Sequence, residues 1–219
     1  MARARAGDAA HAHLDAVIAS IDEALGATNQ AREAALPACR RAIRAAGSSI
    51  RAVHGLDAAR AGALVGECEA AIREAQGLLR PFPALAQAGY LHDAEKEFVE
   101  ARAVAALVSG DQVPGPDELG VSPTAWMRGL AEAASELRRH LLDRLRDGDL
   151  DLGEALLGRM DDVYAALVVV DYPDAVTNGL RRTLDALRAV LERSRGDVTT
   201  TVLQARLQRA IEGGSATST

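Results

Sequence analysis

Two pairs of glutamates stand at helical spacing in this chain. In "AEKEFVEARAV" Glu97 and Glu100 are three residues apart, and in "RGLAEAASELRRHLL" Glu132 and Glu136 are four apart. On a helix either spacing puts both carboxylates on one face, where like charges repel by a few tenths of a kcal/mol. Carboxylates avoid the edge of a buried stripe because desolvating a charge is costly. A divalent cation would hold them there. An oxygen-only, carboxylate-rich set suits Mg²⁺ or Mn²⁺, the hard cations of phosphodiester hydrolysis. The plainer alternative is a solvated face with intrahelical ion pairs, for Arg128 precedes Glu132 by four residues and Arg139 follows Glu136 by three.

Other chemistries lack their residues. An inward-facing di-iron site also needs two Glu-x-x-His pairs, and none is present. His92 precedes Glu95 in reverse order, and the five histidines are scattered as surface or packing residues. A nucleophile elbow, a P-loop, a dinucleotide fingerprint and zinc spacing are all missing.

A helical wheel at 100° per residue positions the acids. Leu91, Ala94, Phe98, Ala101, Ala105 and Val108 form a core stripe, and Asp93, Glu97, Glu100, Val104 and Leu107 run along its flank. The acidic row therefore sits at a packing boundary, where a second helix can meet it. In the other segment Trp126, Leu130, Ala133, Leu137 and Leu141 face the core, with Glu132 and Glu136 off that face.

The helices that carry these rows follow from periodicity and punctuation. Seven main helices are expected, at about 9–25, 29–53, 57–79, 83–109, 122–147, 152–170 and 175–198, with a last piece at 199–211. Asp57 caps the third, and Ser122 with Pro123 starts the fifth. The stretch "GDQVPGPDELGVSP" reads as a loop with one short turn. Short connections between amphipathic helices imply an all-α, antiparallel bundle in one domain over 1–212, with a disordered tail at 213–219.

At 219 residues the chain can bury a substantial core. Aromatic residues are only 3%, so that core must rest on Ala, Leu, Val and Ile. Lys96 is the only lysine among 25 lysines and arginines. A net charge of −6 argues against nucleic-acid binding over the whole surface and leaves room for local arginine patches. Cys39 and Cys68 have no C-x-x-C partner and read as reduced core thiols. With no secretory signal and no membrane-spanning run, a cytoplasmic protein is expected.

The helix order, "EFVEA" in the fourth helix, "GLAEAASELRR" in the fifth and "YPDAVTNGLRRTLDALRAVLERSRGDV" near the end resemble the translin family. The resemblance covers most of the chain and is weakest in the first two helices. It is closest to the translin-associated factor X branch. That branch's Glu-aromatic-Val-Glu-Ala motif is matched by Glu97, Phe98, Val99, Glu100 and Ala101. Its fifth-helix motif is matched at Gly129, Glu132, Glu136 and Leu137, with Glu132 replacing an Asp. The added methylene moves that carboxylate by about 1.5 Å.

What the resemblance implies is specific. It implies a seven-helix bundle of translin type in a closed homo-oligomer, an octamer. It implies binding of single-stranded RNA, with DNA as a further ligand, and Mg²⁺- or Mn²⁺-dependent endoribonuclease activity through Glu97, Glu100, Glu132 and Glu136. The nucleic-acid-binding residues are read from the sequence itself: basic clusters stand at Arg40, Arg41 and Arg44, at Arg138 and Arg139, and at Arg181 and Arg182, and Arg138 and Arg139 are favoured because they adjoin Glu136. The alternative is a non-catalytic RNA- or DNA-binding or scaffold protein of the same fold.

Overall fold

A computed structural model describes residues 2–216, and the side chains of residues 11–212. Six long helices carry the architecture: α1 (Ala2–His54), α2 (Ala58–Leu79), α4 (Tyr90–Ser109), α6 (Pro123–Arg146), α7 (Leu150–Val168) and α9 (Leu180–Ala216). Single turns α3 (Pro83–Ala86), α5 (Pro116–Leu119) and α8 (Asp174–Thr177) lie between them, and there is no strand among the described residues. The expected all-α bundle is the observed class. Its helices are divided differently.

The helices expected at 9–25 and 29–53 are one, α1. A single glycine such as Gly26 costs a helix about 1 kcal/mol relative to alanine, too little to end it. Thr28, which could have capped a new helix, instead donates its hydroxyl to the Ala24 carbonyl at 2.8 Å, bonding back to the preceding turn. The same substitution of roles occurs in α9. There Thr201 donates to the Asp197 carbonyl at 2.8 Å, and the helix passes unbroken through the boundary expected at 198–199. The expected tail thus begins inside α9, which runs to Ala216; residues 217–219 lie outside the described residues.

The opposite happens at 83–109. Gly89 adopts φ +87°, open to glycine and strained for other residues, and splits the expected helix into α3 and α4. The cap at Asp57 forms as expected, its carboxylate accepting from the Arg60 amide at 3.0 Å. Ser122 likewise accepts from the Ala125 amide.

Consecutive helices joined by tight connections pack against each other, α1 on α2 and α6 on α7. The helix α4 is central: it packs against α1, α2 and α6, which is why it buries Leu91, Ala94, Phe98, Val99, Ala101, Val104 and Leu107. Phe98 is fully buried, and a side chain of that size contributes about 1.5–3 kcal/mol by leaving water.

The loop 110–122 carries the chain back along α4. The amide of Ser122, at the start of α6, donates to Glu95 near the start of α4 at 3.1 Å. From there the two helices run side by side in the same direction. Arg159 of α7 closes the far end, donating to the Leu107 carbonyl at 2.7 Å and the Val108 carbonyl at 3.1 Å.

Candidate metal centre

The seam between α4 and α6 closes most tightly at Gly129. A Cβ there would lie 2.5 Å from the Lys96 carbonyl oxygen and 2.7 Å from the Val99 Cβ. Only glycine allows this approach. One turn further along α6, Glu132 faces the acidic row of α4.

Glu97, Glu100 and Glu132 each place a carboxylate oxygen so that the three lie within 4.8 Å of one another. All three side chains are partly buried. Burial, and after it the charges of Glu97 and Glu132, push the Glu100 carboxyl up to about 8. Glu136 raises it further and Lys96 opposes the shift. Near neutral pH this cluster holds a proton on Glu100 when no other cation is bound.

Lys96 enters the same cluster. Its ammonium donates to Glu97 Oε1 at 2.9 Å and to Glu132 Oε2, with only 11% of its side chain exposed. Burial works against this charge, but the hydrogen bonds to Glu132 and Glu97 outweigh it and hold the Lys96 pKa above its usual value. Arg128 stands 3.8 Å from the other Glu132 oxygen.

Glu136 is engaged elsewhere. His54, at the end of α1, donates from Nε2 to Glu136 Oε1 at 2.7 Å. That hydrogen bond, more than any other influence, holds the Glu136 carboxyl below its usual range. His140 lies alongside, its ring centroid 6.3 Å from that of His54.

No protein-family model matches the chain. Over 125 residues it is 32% identical to the uncharacterized protein MJ0175 of Methanocaldococcus jannaschii, a stretch covering 57% of this chain and 56% of that protein. The match thus spans little more than half of that relative. Among solved structures the chain is similar to the AfC3PO–duplex RNA complex, with a TM-score of 0.80 and 29% identity over 87% of this chain and 98% of that one. AfC3PO alone matches with a TM-score of 0.79 and 28% identity over the same shares. Apo-NeC3PO, at 17% identity and a TM-score of 0.76, shares the fold over 84% of this chain and 96% of its own. These likenesses support a protein of the translin-family fold.

Within this translin-family fold, three of the four glutamates singled out from the sequence converge, and the fourth lies one turn along α6 on His54. The methylene that distinguishes Glu132 from aspartate does not keep its carboxylate out of the cluster. Arg138 is tied to α9, donating to Ser194 Oγ at 3.0 Å and to Asp197 Oδ2 at 2.6 Å. Arg139 is exposed.

Sequence reasoning missed three participants. Lys96 reads as a flank residue until α6 supplies Glu132. His54 reads as scattered, although its side chain is 3% exposed and bonded to Glu136. Glu95 is buried and accepts from Gln76 Nε2 at 2.8 Å and from the Ser122 amide, joining α2, α4 and the start of α6. The signal for Lys96 was present in its singularity, and for Glu95 in its position between Ala94 and Phe98 on the buried side of α4.

Proposed function

We propose that this translin-family protein is a divalent-metal-dependent endoribonuclease of the factor X type, with one translin-like domain spanning 1–212. The observation that carries this reading is the convergence of Glu97, Glu100 and Glu132 from two helices. Oxygens within 4.8 Å of one another can be reached together by one hard cation with bonds of about 2.0–2.6 Å. The donor set fits Mg²⁺ or Mn²⁺: it is all oxygen, and the proton forced onto Glu100 marks a place where positive charge is missing. When bound, the cation supplies Lewis-acid stabilisation of the charge on a scissile phosphate.

The chain's own residues do the rest. Gly129 lets α6 approach, so that Glu132 completes the cluster. His54 keeps Glu136 ionised and oriented beside it, as a fourth acid for the metal or its surroundings. Arg139, exposed next to Glu136, is the residue we assign to phosphate contact; Arg138 can join it only by leaving Asp197.

The ligand class is RNA, a reading supported by the similar AfC3PO structure that contains duplex RNA. The sequence resemblance adds a single-stranded substrate, with DNA as a further ligand. It also adds a closed homo-oligomer, an octamer, to which Leu14, Val17, Ile18, Ile21 and Leu25 contribute an exposed apolar stripe on α1. The same reading places the protein in the cytoplasm, where the free Cys39 and Cys68 thiols stay reduced. No helix among the described residues is long and apolar enough to cross a membrane.

The test is cleavage of a labelled RNA, single-stranded and duplex, by wild type and Glu100→Gln, with Mn²⁺ and with EDTA. Metal-dependent cleavage by wild type alone is expected. Equal cleavage by both proteins, or cleavage that survives EDTA, refutes the metal site. One observation favours a second reading, a non-catalytic RNA-binding or scaffold protein: Lys96 already neutralises part of the cluster. It predicts RNA binding indifferent to EDTA and no cleavage.

A further inference from the structure

Lys96 is the sole lysine of a chain that otherwise uses arginine for every side-chain cation of this type. It is also the cation that reaches both Glu97 and Glu132. The two residue types differ in ways that matter at this place. An ammonium is a compact point charge that fits between carboxylate oxygens, on a flexible stem that can swing away. A guanidinium is a planar fork that cannot be surrounded in the same way.

The ammonium uses two of the carboxylates a metal would need. It bonds Glu97 Oε1 and Glu132 Oε2, and Glu97 and Glu132 are two of the three acids whose oxygens gather within 4.8 Å. A divalent cation bound to those carboxylates and an ammonium bound to two of them would sit within a few ångström of each other in a largely shielded site. Like charges so placed repel strongly where solvent screening is weak. The two cations are therefore alternatives.

We infer that Lys96 is a resident competitor for the metal: its ammonium bridges Glu97 and Glu132, a divalent cation binds the cluster only by displacing it, and Lys96 thereby sets the metal affinity of the site. This rests on the metal-binding reading above and adds the residue that regulates it. The metal-free cluster is kept assembled by Lys96, and the site loads only when divalent cation is abundant enough to displace it. Gly129 keeps the Lys96 backbone fixed against α6, so displacement is a movement of the side chain along its stem.

The full-length chain tests this directly. Mn²⁺ binding is measured by calorimetry and by the loss of free-Mn²⁺ electron paramagnetic resonance, on wild type, Lys96→Gln and Lys96→Met, with circular dichroism as a check of folding. Because the chain has one lysine, ¹³C-lysine labelling gives a single Cε signal for Lys96 in the wild type, and Mg²⁺ is titrated against it. The expected result is Mn²⁺ affinity at least tenfold higher in both variants. The wild-type Lys96 signal should move towards that of a solvated lysine at the Mg²⁺ concentrations that fill the site.

Equal or weaker binding by the variants, with wild type binding, overturns the competition and leaves the metal site standing. A Lys96 signal unmoved while Mg²⁺ binds does the same, and decides the matter even where a variant fails to fold. Absence of binding by wild type and both variants overturns the metal reading and the competition with it.

Discussion

The α carbon of Gly129 stands so close to the Lys96 carbonyl that a Cβ would come within 2.5 Å of its oxygen. In an exposed helix interior glycine to alanine gains up to about 1 kcal/mol. Here it forces the α4–α6 seam open. Gly129→Ala should lower stability by about 1–3 kcal/mol and remove Mn²⁺ binding, because Glu132 moves away from Glu97 and Glu100. Gly158→Ala on α7, where nothing lies within 4 Å of the new Cβ, should be neutral or stabilising. Denaturant midpoints and Mn²⁺ titrations of the two variants check the contrast.

The metal-free protein should lose stability as the solution becomes more alkaline. The Glu100 carboxyl is raised from its ordinary 4.5 to about 8 in the fold. A group raised in this way contributes stability that is complete below its unfolded value and lost as pH climbs through the folded one. In EDTA the denaturation midpoint should therefore fall between about pH 5 and pH 8. Glu100→Gln should flatten that decline, and Mn²⁺ should restore the wild-type midpoint at pH 8. A wild-type midpoint that rises over this interval would contradict the burial of Glu100.

What was legible in the sequence had a local cause. The wheel that put Glu97 and Glu100 beside an apolar stripe needed only α4 itself; the flanking row turns apolar at Val104, and the fold buries that residue fully. The caps at Asp57 and Ser122 are local as well. Glu136 shows where local reasoning stops. The i, i+4 spacing to Glu132 was read correctly, but its partner His54 lies 82 residues away on α1, and no pattern within α6 announces it. Lys96 fails for the same reason, since half of its coordination comes from another helix. The breaks misplaced at 25–29 and at 198–199 failed differently: hydroxyls of Thr28 and Thr201 satisfied carbonyls inside a helix instead of capping a new one.

His54 should matter through Glu136. Partners that orient a metal-binding or neighbouring carboxylate typically change affinity or activity by about 10–100-fold. His54→Ala is expected to lower RNA cleavage and Mn²⁺ affinity within that range. His54→Gln, whose amide can still donate to Glu136 Oε1, should recover a good part of both. Loss of folding without recovery by glutamine would assign His54 to packing alone.

The two arginines of α6 should separate by assay. Arg138 spends its guanidinium on Ser194 and Asp197, so Arg138→Ala should loosen α9 and lower the denaturation midpoint. Arg139 is exposed and has no such tie to α9. Arg139→Ala should leave stability unchanged and weaken RNA binding, reducing the slope of log affinity against log salt by about 1. The reverse assignment of effects would remove Arg139 from the RNA surface.

Assembly should depend on the free half of α1. From Leu14 to Leu25 the helix stands outside the bundle, and Leu14, Ile18, Ile21 and Leu25 recur at steps of four, three and four, 54%, 56%, 49% and 63% exposed. A row of this period is the seam by which one amphipathic helix covers another, and within the described chain nothing covers it. Replacing Ile18 and Ile21 by glutamate puts charge into that seam without touching a buried residue of the monomer. The monomer's secondary structure should therefore survive. Light scattering at micromolar concentration should show a large assembly for wild type and a mass near 23.0 kDa, or a small multiple of it, for the double variant. A wild-type mass of one chain would refute the assembly, and an unchanged mass in the variant would move the interface to another face. Because Glu97, Glu100 and Glu132 all belong to one chain, the dissociated variant should still bind Mn²⁺, which separates the role of the oligomer from that of the metal centre.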